Sequence, residues 1–486
     1  MFAVLRKVLS NKVFLYMGSR YITYALQFVA SLIIAFKLGP ELFGIWSFIL
    51  LIINFFNIVD FGVSNSVNVL LVQDKKDDVA FNNHIMSSVV LTGCICVAIL
   101  LISIILSFFH LDIIAKYRVG EYIPSILFIV IVAYFNKLFA SIYRVKNRLL
   151  EVAFYQSIVP VLLFLVILIF DSHFVWVLLL SYLVGYSVSI LFFLFRGQVS
   201  FSGSIIFKDI RLVGEKGLWL FLYNGCFYLI MYTTSFCVSY NYQVSEYGKY
   251  NYAYTLAHAI FLLIDAFGFI IFPKMIDKLK VKDAETSSTI TYIRKNYMTL
   301  VYGLVLLALP FFYCFSMHVP QYSDASRALY ISALTLLPYA NAFGINTYLI
   351  AQNKEKVLSH VSMACLVINI LCSLFFAMVL HIDYDMVIFA TLISYVVYTY
   401  MCARLMLGSF GERISFWDVW RAAFPTKFFV PYIIAILCSL LSFKYDAVYL
   451  LLIPIFMFGV VNWDNIVSVK CTVMKITNNP GLVDLN

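Results

Sequence analysis

The chain has 486 residues, of which 63% are hydrophobic and only 12% charged, and a formal charge of +9. A soluble globular domain carries about twice that charged fraction, so the composition excludes a water-soluble protein. The apolar runs approach twenty residues without strict alternation, which also excludes an outer-membrane barrel and leaves an all-α integral membrane protein.

Met1 to Lys12 is short and basic, and the apolar run behind it is too long and too polar for a cleaved signal, so it reads as a retained helix. Fourteen spans are predicted, over 13–36, 43–72, 84–109, 121–143, 153–171, 174–195, 212–240, 250–273, 294–317, 327–351, 356–380, 384–408, 427–443 and 447–463. They divide into two pseudo-symmetric six-helix bundles over 1–200 and 201–410, two additional C-terminal spans within 411–465, and a cytoplasmic, weakly ordered tail over 466–486. Ten cysteines are scattered through apolar segments without C-x-x-C or Cys/His metal spacing, so they read as packing residues, and no metal or cofactor is expected.

Lys and Arg concentrate in cytoplasmic loops of membrane proteins. With the N-terminus inside, 26 of the 34 fall in inner segments and 6 in outer ones, with Arg20 and Lys137 left within spans. Both ends are therefore expected in the cytoplasm. The positive charge is explained by orientation rather than by an acidic or nucleic-acid partner.

The first two spans meet at Lys37-Leu-Gly-Pro-Glu41, and each carries one charge, Arg20 and Asp60, both twenty residues from Pro40. At 1.5 Å per residue the two reach a similar depth, so an Arg20–Asp60 ion pair is one reading and a site for ligand the other. Arg20, Thr23, Tyr24, Gln27 and Ser31 share one face of span 1, and Asn54, Asn57, Asp60, Ser64, Asn65 and Asn68 share a sector of span 2. Lipid rejects such stripes, so both faces are expected to point into protein or a wet cavity. Lys137 in span 4 reads either as a second positive charge in that cavity or as a snorkelling lysine.

Short words recur at a nearly constant offset. Phe43-Gly-Ile-Trp46 corresponds to Tyr247-Gly-Lys-Tyr250, Ile58-Val-Asp-Phe-Gly62 to Leu263-Ile-Asp-Ala-Phe-Gly268, and Val145-Lys-Asn-Arg148 to Ala351-Gln-Asn-Lys354. The offset of 204 to 206 residues spans six helices, an even number, which predicts a parallel repeat with a cavity between its halves. Span 7 then mirrors span 1 and presents Asn224, Tyr228, Tyr232, Ser235 and Ser239 along one side. Span 8 gathers Asn251, Thr255, His258 and Asp265 on one face, and an acid inside a membrane helix is a natural proton or cation site. Pro160, Pro310 and Pro338 fall inside spans and mark potential bending points.

Leu38-Gly-Pro-Glu-Leu-Phe-Gly-Ile-Trp46, followed by Ile58-Val-Asp-Phe-Gly62, resembles the Wzx-type polysaccharide flippases of the multidrug/oligosaccharidyl-lipid/polysaccharide (MOP) exporter superfamily. The resemblance covers helices 1 to 12. It implies two six-helix bundles in a bacterial inner membrane. Its implied cargo is an undecaprenyl-pyrophosphate-linked glycan moved to the periplasmic leaflet by alternating access, with membrane lipids and a polysaccharide polymerase machinery as partners. On this reading Arg20, Tyr24, Gln27, Asn57, Lys137, Asn224, Tyr228 and Tyr232 contact the cargo, and Asp60, His258 and Asp265 couple H+ or Na+. The alternative is a cation-coupled multidrug exporter of the same superfamily. An enzyme is not expected: outer loops are short, and no Ser/His/Asp constellation, nucleotide-binding glycine loop or metal spacing is present.

Overall fold

The computed structural model describes residues 12–73, 77–109, 111–170, 174–260, 284–317, 319–410, 415–445 and 447–478. The secondary structure of these residues is helical throughout. In chain order the longer helices are α1 (Lys12–Ile58), α2 (Val63–Gln73), α3 (Asp78–Ser107), α4 (Ile123–Val145), α5 (Leu149–Ile169), α6 (Phe174–Phe195) and α7 (Phe207–Asn241). They continue with α8 (244–260), α9 (Ala284–Met317), α10 (Ser326–Ala342), α11 (Ile345–Ala351), α12 (Glu355–Leu374) and α13 (Ile388–Ser409). The last four are α14 (Phe416–Ala423), α15 (Thr426–Tyr445), α16 (Leu452–Val461) and α17 (Trp463–Asn478).

Among the described residues nine helical stretches are long and apolar enough to cross a membrane, or eleven if two bent pairs each count as one span. Three places separate this count from the predicted fourteen. Gly18–Val72 counts once, but a straight helix of that length would run about 80 Å, far beyond an apolar layer of about 30 Å. The backbone leaves helical geometry at Gly39 (φ 68°, ψ 173°), inside the predicted turn, so two spans meet there. The other two places are α7 and α8, helices that occupy predicted spans 7 and 8, the latter described only to residue 260. The chain is a multi-pass membrane protein. On α3, Leu101, Ile102, Ile104 and Ile105 are each more than half exposed, the face that lipid would cover.

The helices start and stop where local chemistry requires. Asp77 caps α3 by accepting the N–H groups of Val79 and Ala80, both at 3.1 Å. Pro160, Pro310 and Pro338 lie inside α5, α9 and α10, which run on through them. The breaks come at glycines instead, at Gly39, Gly62 and Gly344, all with positive φ. Where a weakly ordered tail is expected, residues to Asn478 are helical. Buried Asn462 donates to the Lys427 carbonyl at 2.8 Å and Ser468 bonds Asn296 at 3.1 Å, which ties α17 to the preceding helices.

The chain divides into two compact units. One holds 1–232 and 243–248, the other 233–242 and 249–486, so the boundary falls within α7 and again just after Gly248. The first packs Leu138, Phe139 and Tyr143 of α4 against Phe193 of α6, whose carbonyl the Tyr143 hydroxyl meets at 2.5 Å. In the second, Thr234 at the end of α7 meets Asn369 of α12 at 3.2 Å and Thr391 of α13 at 2.9 Å, a buried polar network joining three helices.

The sequence repeat reappears in the backbone. Asn147 and Asn353, 206 residues apart, both have φ 55° and end a helix in the same way. Arg148 N bonds Tyr143 O and Lys354 N bonds Leu349 O, both at 2.9 Å, and the flanking bonds match in register. The glycines of the first matched words also correspond. A Cβ on Gly44 would collide with the Val244 carbonyl, and one on Gly248 with the Pro40 carbonyl, a reciprocal close approach within the first unit.

Candidate functional site

The site begins with an interruption. The apolar run of predicted span 2 is helical to Ile58 and again from Val63, and between them Phe61 (φ 49°) and Gly62 (φ 73°) turn through left-handed geometry. Gly62 is needed there twice over, for its dihedral and because a Cβ would strike the carbonyl of Gly217 on α7. Asp60 stabilises the turn, its Oδ1 accepting the Gly62 N–H at 3.0 Å.

A broken helix exposes carbonyls that must find donors. Two residues of α4, three apart and therefore on one face, supply them. The Tyr134 hydroxyl lies 2.6 Å from the Phe56 carbonyl and 2.9 Å from that of Val59. Lys137 Nζ donates to the Asn57 carbonyl at 3.0 Å and pairs with Asp60 Oδ2 at 2.8 Å. This corrects the proposed Arg20–Asp60 pair and the snorkelling reading of Lys137: the acid's partner is Lys137, because α4 packs against the break while the Arg20 guanidinium turns to Tyr24.

Around this elbow the first unit encloses a cavity of about 440 Å³. Arg20 and Gln27 of α1 line it, with Asn54 and Asn57 before the break and Ser64, Asn65 and Asn68 after it. Lys137, Ser141 and Arg144 of α4 form a second wall, and Asn68 Nδ2 bonds Ser141 Oγ at 3.2 Å across the join. The third wall is aromatic. Tyr155 of α5 and Tyr186 of α6 have ring centroids 6.2 Å apart, Tyr186 and Tyr182 5.9 Å, and Tyr182 and Trp46 5.8 Å. Asn57 hydrogen-bonds Tyr186, joining the amide wall to the aromatic one. Among the described residues the lining thus offers three cations, several amides and hydroxyls and a row of tyrosines, and no carboxylate.

Of the predicted contact residues, Arg20, Gln27, Asn57 and Lys137 line this cavity. Tyr24 stands behind Arg20, accepting a hydrogen bond from its guanidinium, which also sits 4.4 Å from the ring centroid. Tyr232 is near enough to act electrostatically on Tyr182 but is not among the lining residues, and Tyr228 is 47% exposed with its ring edge-on to Phe227. No described side chain of span 7 is among the lining residues of this cavity. Among the described residues, those lining this cavity belong to the first unit. The Asn224 side chain and Asp265 lie outside the described residues. His258, in the second unit, stacks on Tyr254 at 3.8 Å with Nδ1 3.1 Å from the Tyr254 carbonyl.

Sequence reasoning missed Tyr155, Gln156, Tyr182 and Tyr186, although Tyr182 and Tyr186 are four apart in an otherwise aliphatic run, a helical signal for one face. It also placed Arg144 in a cytoplasmic loop, whereas α4 extends two residues further and brings it to the cavity. No group of three or more His, Cys, Asp or Glu suited to a metal occurs among the described residues.

A family model described as "Polysaccharide biosynthesis protein" matches residues 9–278. No curated protein matches the chain by sequence. The fold resembles that of a multidrug resistance MATE family transporter of the MOP superfamily in an inward-facing conformation (TM-score 0.65, 14% identity, 82% of this chain and 100% of that one). It resembles equally the lipid II flippase MurJ in an inward closed conformation (TM-score 0.65, 15% identity, 95% and 99%). A MOP superfamily transporter from Pyrococcus furiosus aligns with a TM-score of 0.55 at 15% identity, over 83% of this chain and 96% of that one.

Proposed function

The chain belongs to the polysaccharide biosynthesis protein family, and from that premise we propose that it is a flippase for a lipid-linked oligosaccharide. The observation that carries the reading is the cavity. Within membrane-spanning helices it combines three cations suited to phosphate oxygens, amides suited to sugar hydroxyls and tyrosines suited to the faces of sugar rings. Among proteins of similar fold, MurJ is described as a lipid II flippase, which makes a lipid-linked precursor a reasonable cargo class. We identify the chain more finely as a Wzx-type flippase of a bacterial inner membrane, with both termini cytoplasmic and an undecaprenyl-diphosphate-linked glycan as its cargo.

In this mechanism Arg20 grips the diphosphate from a fixed direction, because Tyr24 holds the guanidinium by hydrogen bond and ring face. Asn57 and Gln27 bond hydroxyls of the first sugars, and the row from Tyr155 to Tyr182 stacks on their rings. Coupling to H+ or Na+ is assigned to the second unit, through His258 and Asp265. Asp60, ion-paired with Lys137, is the third candidate for that role.

The multidrug-exporter alternative calls for acids facing a cationic cargo, and the described residues that line the cavity include none. Removing the charge-assisted bonds of Arg20 costs about 2 kcal/mol, or roughly 30-fold in affinity. In cells carrying Arg20→Ala, lipid-linked sugar is therefore expected to accumulate on the cytoplasmic leaflet with drug tolerance unchanged. Normal surface glycan in that variant would remove the head-group role.

A further inference from the structure

The last two spans each bend sharply at one end. α14 meets α15 at 73°, and the stretch 448–461 that closes with α16 meets α17 at 72°. A short connection makes α15 and α16 an antiparallel pair, so the bend before α15 and the bend after α16 fall at the same end. The Asn462 amide ties one bend to the other through the Lys427 carbonyl at 2.8 Å. Both arms are also fastened to α9, where Arg294 donates to the carbonyls of Ala422 and Ala423 and Asn296 meets Ser468 at 3.1 Å. With the spans along the bilayer normal, the arms lie within about 20° of the membrane plane.

The two arms present the same chemistry outward. Each opens with Trp-Asp, Trp417-Asp418 and Trp463-Asp464, and both indoles are about two-thirds exposed. Val419 and Ala423 of α14 and Asn465 of α17 face the protein, and Trp420 lies edge-on to Phe429 of α15 at 5.8 Å. Exposed Arg421 stands one turn beyond Trp417, and exposed Lys470 two turns beyond Trp463 with Val467 between. Lys427, also exposed, sits at the junction of the arms. Asp418 and Asp464 occupy first turns, where an acid stabilises the helix N-terminus, and among the described residues none of the three cations is ion-paired. Tryptophan rings settle at headgroup depth, and basic side chains at that depth meet lipid phosphates.

We propose that α14 and α17 form one platform lying in the headgroup layer, where Arg421, Lys427 and Lys470 bind anionic phospholipids. The partner is a lipid of the surrounding membrane and not the cargo, so the inference stands apart from the flippase reading.

The test places single copies of the full chain in nanodiscs whose lipids carry bromine just below the headgroup, which quenches nearby indoles. Emission from Trp417 and Trp463 is taken as the difference between wild type and W417F/W463F. Brominated phosphatidylcholine quenches it, and brominated phosphatidylglycerol reaches half-quenching at a mole fraction about fivefold lower. That preference collapses in about 1 M salt, where charges are screened within about 3 Å. R421Q/K427Q/K470Q removes the preference while quenching by phosphatidylcholine stays, and D418N/D464N enlarges it. Equal half-quenching by the two lipids in wild type would overturn the proposal. So would an absence of quenching by either, which would assign the arms to a protein-covered face such as a contact with a second copy. Should the triple variant fail to fold, the salt dependence of wild type still decides.

Discussion

Gly62 carries two demands in one residue, a φ of +73° and the backbone of Gly217 against its α-carbon. Left-handed geometry alone costs an L residue about 1–2 kcal/mol, and the collision adds to it. Gly62→Ala should therefore lower the thermal unfolding midpoint of the purified protein clearly, and an unchanged midpoint would mean the elbow is not under that constraint. Asn147 and Asn353 make a second residue-scale case, because each ends its helix at φ 55° in the same register. Alanine at either should cost about 1 kcal/mol and glycine little or nothing, and unequal losses in unfolding measurements would argue against equivalent caps. Residues of this kind show what the chain makes legible. The wheel of span 1 found Arg20 and Gln27, since a polar stripe on an apolar helix has to face something other than lipid. Counting from the turn found the depth of Asp60 but not its partner, because depth restricts which charges can meet while lateral packing of α4 decides which do.

At the scale of elements, the break at Gly39 was readable as a turn, while the break at Gly62 lay inside what hydropathy takes for one run. The excess length was the available signal. Residues 43–72 would make a helix of about 45 Å, half as long again as the apolar layer it has to cross. The prolines were weaker guides, since a helix tolerates a lost bond where neighbouring groups compensate. Arg294 performs that compensation in the second unit. Its buried guanidinium donates to the carbonyls of Asn341, Ala422 and Ala423, two helix ends at once, where α14 bends by 73° into α15. A lysine there keeps the charge but cannot fan out three donors at those angles. Arg294→Lys should cost at least about 2 kcal/mol, read as a lower unfolding midpoint. A variant as stable as wild type would show that the bend holds without it.

For the whole molecule, composition and charge bias carried most of the prediction. Helices long enough to cross a bilayer follow directly from apolar run length, and the match of Val145–Arg148 with Ala351–Lys354 was visible because Asn147 and Asn353 both end helices at positive φ, where backbone demands restrict the residues allowed. The aromatic wall of the cavity was not visible, because tyrosines in membrane helices serve interfaces as readily as sugars until packing shows which way they face. The predicted orientation can be checked with reporters fused to each terminus: both should report cytoplasm, and a terminus on the other side would shift every loop assignment between them. The most direct measurement is transport itself, with the purified chain in proteoliposomes loaded on one leaflet with a fluorescent lipid-diphosphate oligosaccharide. The account predicts transfer to the opposite leaflet by wild type and loss of roughly 30-fold or more in Arg20→Ala. Transfer at equal rates by the two proteins, or movement of a cationic drug with none of the glycolipid, would contradict it.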